Sequence, residues 1–171
     1  VNLDAKGYFV EALRKLKPKI VFNALHVKYG EDGFVQSILE SLKIPYTHSG
    51  VLSSSLAMDK ELSRLIFIKN NLKVPKYFLL QKGYEGNLNT KIKNRKIKFP
   101  IVIKPINEGS SLGVSICKNR KQLTVKYKKL MGNYDRILVE EYIPGREIQV
   151  AVMGEKALGA IELVPKRQFY D

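Results

Sequence analysis

The feature of this sequence that most constrains its fold is a change of pattern between residues 55 and 75. On the N-terminal side, "YFVEALRKL" and "FVQSILESL" carry apolar residues at helical spacing, whereas "KIVFNALH" and "IPYTHS" are typical of buried strands. Such alternation of helices and strands indicates an open parallel sheet. We therefore predict an α/β arrangement, half of a doubly wound domain, for residues 1 to about 55.

Beyond the change of pattern, the sequence predicts mostly strands. One helix is predicted from about Ser55 to Asn71, and helical stretches follow only near 87–95 and 119–131. The predicted strands are "KYFLL", "IVIKP", "GVSIC", "RILVEEYI", "EIQVAVM" and "ALGAIELV". Consecutive strands with few helices predict an antiparallel sheet of the α+β class. We place one domain at 1–58 and the second at 59–171.

The composition excludes several classes of protein. A chain of 171 residues with 44% hydrophobic residues has enough apolar side chains for one domain or parts of two. The single cysteine, Cys117, excludes a disulfide framework and a multi-cysteine metal site, and it indicates a reducing compartment. Apolar runs are only about five residues long, and no signal-peptide pattern opens the chain. We expect a cytoplasmic protein without a membrane partner.

The charge and the ends of the chain are also informative. The net charge of +14 indicates phosphate-bearing partners in general, but only "KIKNRKIK", residues 91–98, resembles a basic patch. Most of the lysines are scattered, which is typical of a solvated surface. The chain starts at Val1 and stops at "RQFYD" without a helix-ending signal, so we expect a fragment of a longer protein.

A Gly- and Ser-rich loop interrupts the strand-like run "FPIVIKPINEGSSLGVSIC". Residues 109–113 fit the G-x-S-x-G pattern of a hydrolase nucleophile elbow, with Ser111 as nucleophile. That elbow must lead into a helix, whereas Val114-Ser115-Ile116 predicts a strand, and no histidine follows Ser111. The better interpretation is a loop that covers phosphates, in which glycines let backbone N–H groups approach and serines add donors.

Lys104 precedes that loop at the end of a predicted strand. Alternation places Ile101 and Ile103 on one face and Val102 and Lys104 on the other. An ammonium on an otherwise apolar face favours an anion nearby, although an edge lysine that reaches water is the structural alternative. The chain has neither a Walker-type loop nor a G-x-G-x-x-G motif.

Two further stretches carry candidate binding residues. In "RILVEEYIPGREIQV", alternation sends Glu140 and Glu141 to opposite faces, and the break that follows is compatible with a purine edge, with Glu147 on ribose hydroxyls. An ordinary hairpin with exposed acids is the alternative. In "NALHVKYGEDGF", His26 follows a predicted strand and Glu31 precedes a helix, the position at which open α/β sheets bind ligands. Glu31 and Asp32 are equally typical of helix caps.

Five segments in this order resemble those of the D-alanine–D-alanine ligase family, a member of the ATP-grasp superfamily. They are "VFNALHVKYGEDG", "IPYTHSGVLSSSLAMDK", "FPIVIKPINEGSSLGVS", "ILVEEYIPGREIQVAV" and "FYD". The resemblance implies a partial pre-ATP-grasp α/β domain followed by an incomplete ATP-grasp domain. It also implies ATP and Mg²⁺ as cofactors, D-alanine as substrate, a homodimer as one assembly, and a role in peptidoglycan synthesis.

The resemblance further implies roles for individual residues. Lys60 and Lys104 would bind ATP phosphates, and the loop residues Glu108, Gly109, Ser110, Ser111 and Gly113 would cover them. Ser110 would also act near the catalytic carboxylates. Glu140, Glu141, Tyr142 and Ile143 would hold the adenine and Glu147 the ribose, while His26 and Glu31 would lie at the first D-alanine pocket. No metal ligand is assigned within the chain, because the acidic magnesium ligands are expected beyond residue 171.

Two departures from the family pattern affect these expectations. Val27 and Lys28 follow the histidine, where the family usually has glycine, and they would reshape the first substrate pocket. The chain also lacks the family's substrate-covering loop, its catalytic arginine and the upstream glycine-rich loop. We therefore expect the 171-residue chain to be inactive by itself and the full-length protein to be active.

Two rival functions follow from the same residues. Another ATP-grasp ligase, such as a D-alanine–D-lactate ligase, would share the ATP-binding residues and differ in a loop beyond residue 171. A basic module that binds nucleic acid through Lys91–Lys98 would bind less tightly as salt is added and would ignore ATP. No aromatic residues are interleaved with those lysines, so we expect no nucleic-acid partner.

Overall fold

The structure is a computed structural model that describes residues 1–164, so the "FYD" segment lies outside the described residues. The chain divides into two compact units, Val1–Lys69 and Asn70–Asp171. Residues 59–69 lie in the first unit, and their predicted assignment to the second functional domain stays a prediction. No helix of the described residues is long and apolar enough to cross a bilayer.

The first unit is built from four short helices: α1 (Phe9–Leu16), α2 (Phe34–Ser41), α3 (Val51–Met58) and α4 (Lys60–Lys69). Leu13 of α1 packs with Val35 and Leu39 of α2 to form its core. The single helix predicted from Ser55 to Asn71 was wrong, because two helices meet at Asp59. Asp59 has extended backbone (ψ 111°), and its carboxylate accepts hydrogen bonds from the N–H groups of Glu61 and Leu62, which starts α4 anew.

The two parallel strands predicted for the first unit are reduced to one bridge. Val21 and Tyr46 form an isolated parallel bridge, and no described strand extends it on either side. The direction of pairing was predicted correctly, but its extent was not. Ile20 and Phe22, whose apolar character suggested burial, are 61% and 77% exposed.

The second unit is antiparallel, as the sequence predicted, but its six described strands form a four-stranded sheet and a separate two-stranded hairpin rather than one sheet. The strands of the four-stranded sheet are β1 (Tyr77–Gln81), β2 (Ile101–Pro105), β3 (Ser115–Cys117) and β4 (Arg136–Glu141), in the order β1-β4-β2-β3. One face packs on the helices α5 (Leu88–Asn94) and α6 (Arg120–Asn133). The core residues of the sheet on that face are Phe78, Leu80, Ile101, Ile103, Cys117, Ile137 and Val139.

Register fixes which side chains lie on the other face of the sheet. Ile103 pairs with Val139, while Val102 pairs with Glu140 and Lys104 with Leu138. Because side chains alternate between the faces, Lys104 and Glu140 share the face turned away from the α5–α6 core. A separate hairpin, β5 (Glu147–Met153) with β6 (Lys156–Leu163), follows the sheet, and nearly all of its residues are exposed.

Candidate functional site

A lysine and a glutamate form an ion pair on the open face of the four-stranded sheet. The Nζ atom of Lys104 lies 2.5 Å from Oε1 of Glu140, and their side chains are only 20% and 7% exposed. The two residues are diagonal neighbours on adjacent strands, since Val102 rather than Lys104 lies directly opposite Glu140. The ammonium is therefore held at a defined position and keeps some access to solvent. The predicted face of Lys104 is confirmed, and Glu140 is its partner there.

The loop that joins β2 to β3 is anchored at both ends. Near its start, the Tyr134 hydroxyl donates a hydrogen bond to the Glu108 carboxylate. The pKa of Tyr134 is raised mainly by burial and, to a smaller extent, by this carboxylate. Near its end, Gly113 has φ +73°, and a Cβ atom there would lie 2.8 Å from Cγ of Pro105. Only glycine fits this close approach without displacing the loop.

Between these anchors the loop exposes backbone donors. Leu112 and Val114 donate to the carbonyls of Gly109 and Ser111, which folds the loop into consecutive turns. Among the described residues, the N–H groups of Gly109, Ser110 and Gly113 find no acceptor. Ser110 is exposed and has φ +49°. Unpaired N–H groups in a turn conformation are typical of anion-binding loops.

The strand after the loop excludes the hydrolase alternative. A nucleophile elbow leads into a helix, whereas the residues after Ser111 form β3, which pairs with β2. Ser111 therefore lacks the backbone setting of an elbow nucleophile.

The connection after β4 offers fewer free backbone groups than the sequence suggested. The N–H of Glu141 donates to the carbonyl of Lys76, and the N–H of Tyr142 donates to the carbonyl of Pro100. Within residues 1–164 the N–H of Ile143 has no acceptor. Tyr142 and Ile143 are 36% and 59% exposed, so both can contact a flat ligand. Glu147 is exposed at the first position of β5.

The candidate substrate residues of the first unit lie in one tight loop. The Glu31 carboxylate accepts a hydrogen bond of 2.6 Å from the Val27 N–H, and its other oxygen lies 4.0 Å from Nδ1 of His26. Asp32 accepts from the N–H groups of Tyr29 and Phe34, so of the two predicted capping acids only Asp32 bonds to the first residue of α2, and Gly33 is the N-cap itself. His26 and Glu31 are thus neighbours, with the imidazole 86% exposed.

Two buried side-chain amides hold the same loop in place. Both Asn23 Nδ2 and Gln36 Nε2 donate hydrogen bonds of 2.8 Å to the carbonyl of Gly30. A Cβ atom on Gly30 would lie 2.3 Å from Cβ of Leu25, so the loop requires glycine there. The loop is therefore a rigid platform for His26 and Glu31.

Lys60, the remaining predicted phosphate ligand, is the first residue of α4 and belongs to the first unit. Lys104 and the β2–β3 loop belong to the second unit. The convergence of the two lysines on one phosphate chain therefore stays a prediction. Residues 1–164 contain no group of three or more His, Cys, Asp or Glu side chains able to hold a metal ion.

Sequence reasoning missed three residues that hold candidate site residues in place, one in the first unit and two in the second. Tyr134 donates a hydrogen bond to Glu108, and the Pro105 ring leaves no room for a Cβ atom at position 113. Gln36 donates a hydrogen bond to the carbonyl of Gly30 in the loop that carries His26. Tyr134 and Gln36 are distant in sequence from the residues that they hold, and no local motif marks them. Pro105 was visible beside Lys104, but its contact with Gly113 depends on how the loop returns.

Comparison with known proteins places these features in a family. A family model described as "D-ala D-ala ligase C-terminus" matches residues 66–171. A D-alanine–D-alanine ligase of Pelagibacter ubique (strain HTCC1062) is 55% identical over 160 residues, which cover 93% of this chain and 52% of that protein. The corresponding ligase of Wolbachia pipientis wMel is 43% identical over 176 residues, with 100% and 53% covered.

Solved structures agree with the sequence comparisons. The D-alanine–D-alanine ligase from Bacillus anthracis complexed with ATP matches with a TM-score of 0.78 at 32% identity, covering 94% of this chain and 53% of that one. The ligase from Coxiella burnetii matches with a TM-score of 0.76 at 30% identity, with 85% and 44% covered. The chain thus spans about half the length of the relatives that it matches. Because the family model covers more than half of these residues, the chain belongs to the D-alanine–D-alanine ligase family.

Proposed function

We propose that the protein containing this chain joins two D-alanine molecules at the expense of ATP. The carboxylate of the first D-alanine attacks the γ-phosphorus of ATP, and ADP leaves with the electrons of the broken bond. The amine of the second D-alanine then attacks the acyl carbon, inorganic phosphate leaves, and the amine loses a proton. The product is the dipeptide D-alanyl-D-alanine, which serves peptidoglycan synthesis in the cytoplasm.

The observation that carries this proposal is the site on the open face of the second unit. Lys104, held by Glu140, supplies a fixed positive charge, and the β2–β3 loop supplies N–H donors from Gly109, Ser110 and Gly113. Fixed donors and cations stabilise the charge that develops during phosphoryl transfer. The family member from Bacillus anthracis was solved as a complex with ATP, which supports the same ligand here.

Other residues receive roles by the same reasoning. Ile143 would offer a backbone N–H to the adenine, and Tyr142 would offer an exposed ring. Both residues follow Glu140 and Glu141, the last two residues of β4. Glu147 would accept from ribose hydroxyls, and Lys60 would add a second cation at the phosphates. In the first unit, His26 and Glu31 would orient the first D-alanine, since a carboxylate there suits its ammonium group.

The proposal includes magnesium only as an expected cofactor, without ligands assigned among the described residues. The described residues do not provide a metal-binding cluster, so we derive no step through a metal ion. The family resemblance implies acidic ligands for Mg²⁺ beyond residue 171.

The test is a ligation assay on the chain as its whole reading frame encodes it. ADP release is measured with ATP and D-alanine, L-alanine, or D-alanine with D-lactate, and the product is identified by mass spectrometry. We expect D-alanyl-D-alanine, with activity abolished in Lys104→Met and retained in Lys98→Met, a change at an exposed lysine. Formation of D-alanyl-D-lactate would favour the rival ligase, and no ATP-dependent product from any of these substrates would overturn the proposal.

A further inference from the structure

The outer edge of the four-stranded sheet carries a groove that the proposed reaction does not use. β3 is the last strand of the sheet order and pairs only with β2 among the described strands. A groove of about 600 Å³ runs between this edge and the flank of α6. Its apolar lining includes Ile116 of β3 and Val125 of α6, and Val125 is 60% exposed. An unpaired strand edge presents backbone donors and acceptors to solvent.

The rim of this groove is strongly basic. Lys118, Lys121 and Lys126 line it, and all three are exposed, whereas no acidic residue of the described part of the chain lines it. The surrounding sequence has the same bias, because the stretch from Gly109 to Tyr134 contains six lysines and arginines and no Asp or Glu. Lys126 also lies close enough to act electrostatically on the Cys117 thiol, opposing the effect of burial, which raises its pKa. The positive field therefore reaches the strand itself.

The unpaired edge of β3 and the basic rim of the groove together favour one kind of ligand, an extended acidic polypeptide. A free strand edge favours an extended polypeptide, because only a backbone in strand conformation continues the ladder of hydrogen bonds. The lysines favour carboxylates and disfavour a second copy of this chain, whose net charge is +14. On a strand added to this edge, alternate side chains would point toward α6, where Lys121 and Lys126 lie.

We propose that the groove between β3 and α6 binds an acidic segment of a partner protein in extended conformation, by addition of a strand to β3. The paired part is short, since β3 has three residues and spans only about 10 Å. The affinity therefore depends on the flanking lysines as well as on backbone pairing. This site lies on the edge strand β3, whereas the Lys104–Glu140 pair belongs to β2 and β4.

The experiment measures binding of a labelled eight-residue peptide in which glutamate alternates with valine. Its control has proline in place of two of the valines, because proline cannot donate to a strand ladder. Both are titrated by fluorescence anisotropy into the chain as its whole reading frame encodes it. The test variant is Lys121→Glu with Lys126→Glu. The matched control is Lys128→Glu with Lys129→Glu, which makes the same charge change on the same helix at exposed positions that do not line the groove.

We expect the alternating peptide to bind, the proline peptide to bind at least tenfold more weakly, and the groove variant to weaken binding at least tenfold. The control variant should change the dissociation constant less than threefold. Amide hydrogen exchange should slow at Ser115–Cys117 when peptide is added. Four results would overturn the proposal: no binding, equal loss in both variants, equal binding of the proline peptide, or tighter binding of polyuridine RNA that the groove variant abolishes.

Discussion

At the scale of single residues, Val27 stands out because its backbone does not suit its side chain. Its φ is +60°, in the left-handed region, where β-branched residues are rare and strained. The loop imposes this conformation through the bond from the Val27 N–H to Glu31 and the bonds that the Val27 carbonyl accepts from Gly30 and Glu31. One of the two positions at which we expect the sequence to depart from the family pattern is thus a strained one.

We predict that Val27→Gly stabilises the first unit. Removing the strain of the left-handed conformation should raise the free energy of unfolding by about 1–3 kcal/mol. The greater freedom of glycine in the unfolded chain should lower it by about 0.5–1 kcal/mol. The expected net gain is about 1 kcal/mol in the free energy of unfolding, measured with urea. Lys28→Gly is the control, since the φ of Lys28 is not positive, and it should give no gain. Equal effects of both substitutions would contradict the strain argument.

Tyr46 is a second residue whose surroundings have a measurable consequence. Burial, and then the hydrogen bond of 2.7 Å to Glu40, raise the pKa of Tyr46 to about 12. The folded protein therefore holds this proton more tightly than the unfolded chain does. The resulting contribution to stability is complete below about pH 10 and is lost as pH rises toward about 12.

We expect Tyr46→Phe to remove this part of the pH dependence. The free energy of unfolding is compared at about pH 9 and about pH 11 for both proteins. The loss between these values should be smaller in Tyr46→Phe than in the unaltered chain. Tyr8→Phe serves as the control, because Tyr8 is 84% exposed, and it should lose as much stability as the unaltered chain. If both variants lose equal amounts, Tyr46 is not perturbed.

At the scale of elements, the β2–β3 loop depends on Gly113. We predict that Gly113→Ala costs about 2 kcal/mol of stability, because it combines positive φ with contacts of 2.8 and 2.9 Å to the Pro105 ring. Gly132→Ala is the matched control. Gly132 lies in α6 with nothing within 4 Å of its Cβ position, so alanine should be neutral or stabilise by up to about 1 kcal/mol. Thermal unfolding distinguishes the two, and a loss in Gly132→Ala equal to that in Gly113→Ala would contradict the account.

The elements also show how far sequence reasoning reaches. The alternation of Ile101, Ile103 and Lys104 predicted the buried and open faces of β2, because a sheet covered on one face leaves a period of two in its sequence. The candidate loop was located because glycine and serine are concentrated there. The break between α3 and α4 at Asp59 was missed because the apolar residues on either side of it keep helical spacing, so the sequence reads as one continuous helix. Asp59 caps α4 without interrupting that pattern.

The pairing of elements was harder to predict than their existence. "KIVFNALH" has the composition of a central strand, but a strand forms only where partners flank it. Within residues 1–164 the only bridge partner of Val21 is Tyr46. The Lys104–Glu140 pair was missed for a similar reason. Both residues were singled out separately, but their contact depends on the register between β2 and β4, which no local pattern specifies.

At the scale of the whole molecule, burial differs sharply between the sheet and the hairpin of the second unit. Ile137, Leu138 and Val139 of β4 are 0% exposed, whereas Val150 of β5 and Ile161 of β6 are 50% and 61% exposed. We predict that amide hydrogen exchange in β4 is at least about 100-fold slower than in the hairpin, because local opening of the hairpin uncovers little apolar surface. Exchange measured by mass spectrometry on the 171-residue chain tests this, and similar rates in both elements would contradict it.

The central claim for the whole molecule is that the open face of the sheet binds ATP through Lys104. The direct measurement is the dissociation constant of a non-hydrolysable ATP analogue, by calorimetry, for the chain as its whole reading frame encodes it. Lys104→Met is compared with Lys98→Met, and circular dichroism confirms that both are folded. We predict that Lys104→Met weakens binding at least tenfold, a cost of about 1.4 kcal/mol, while Lys98→Met leaves it unchanged. Unchanged affinity in folded Lys104→Met would contradict the account.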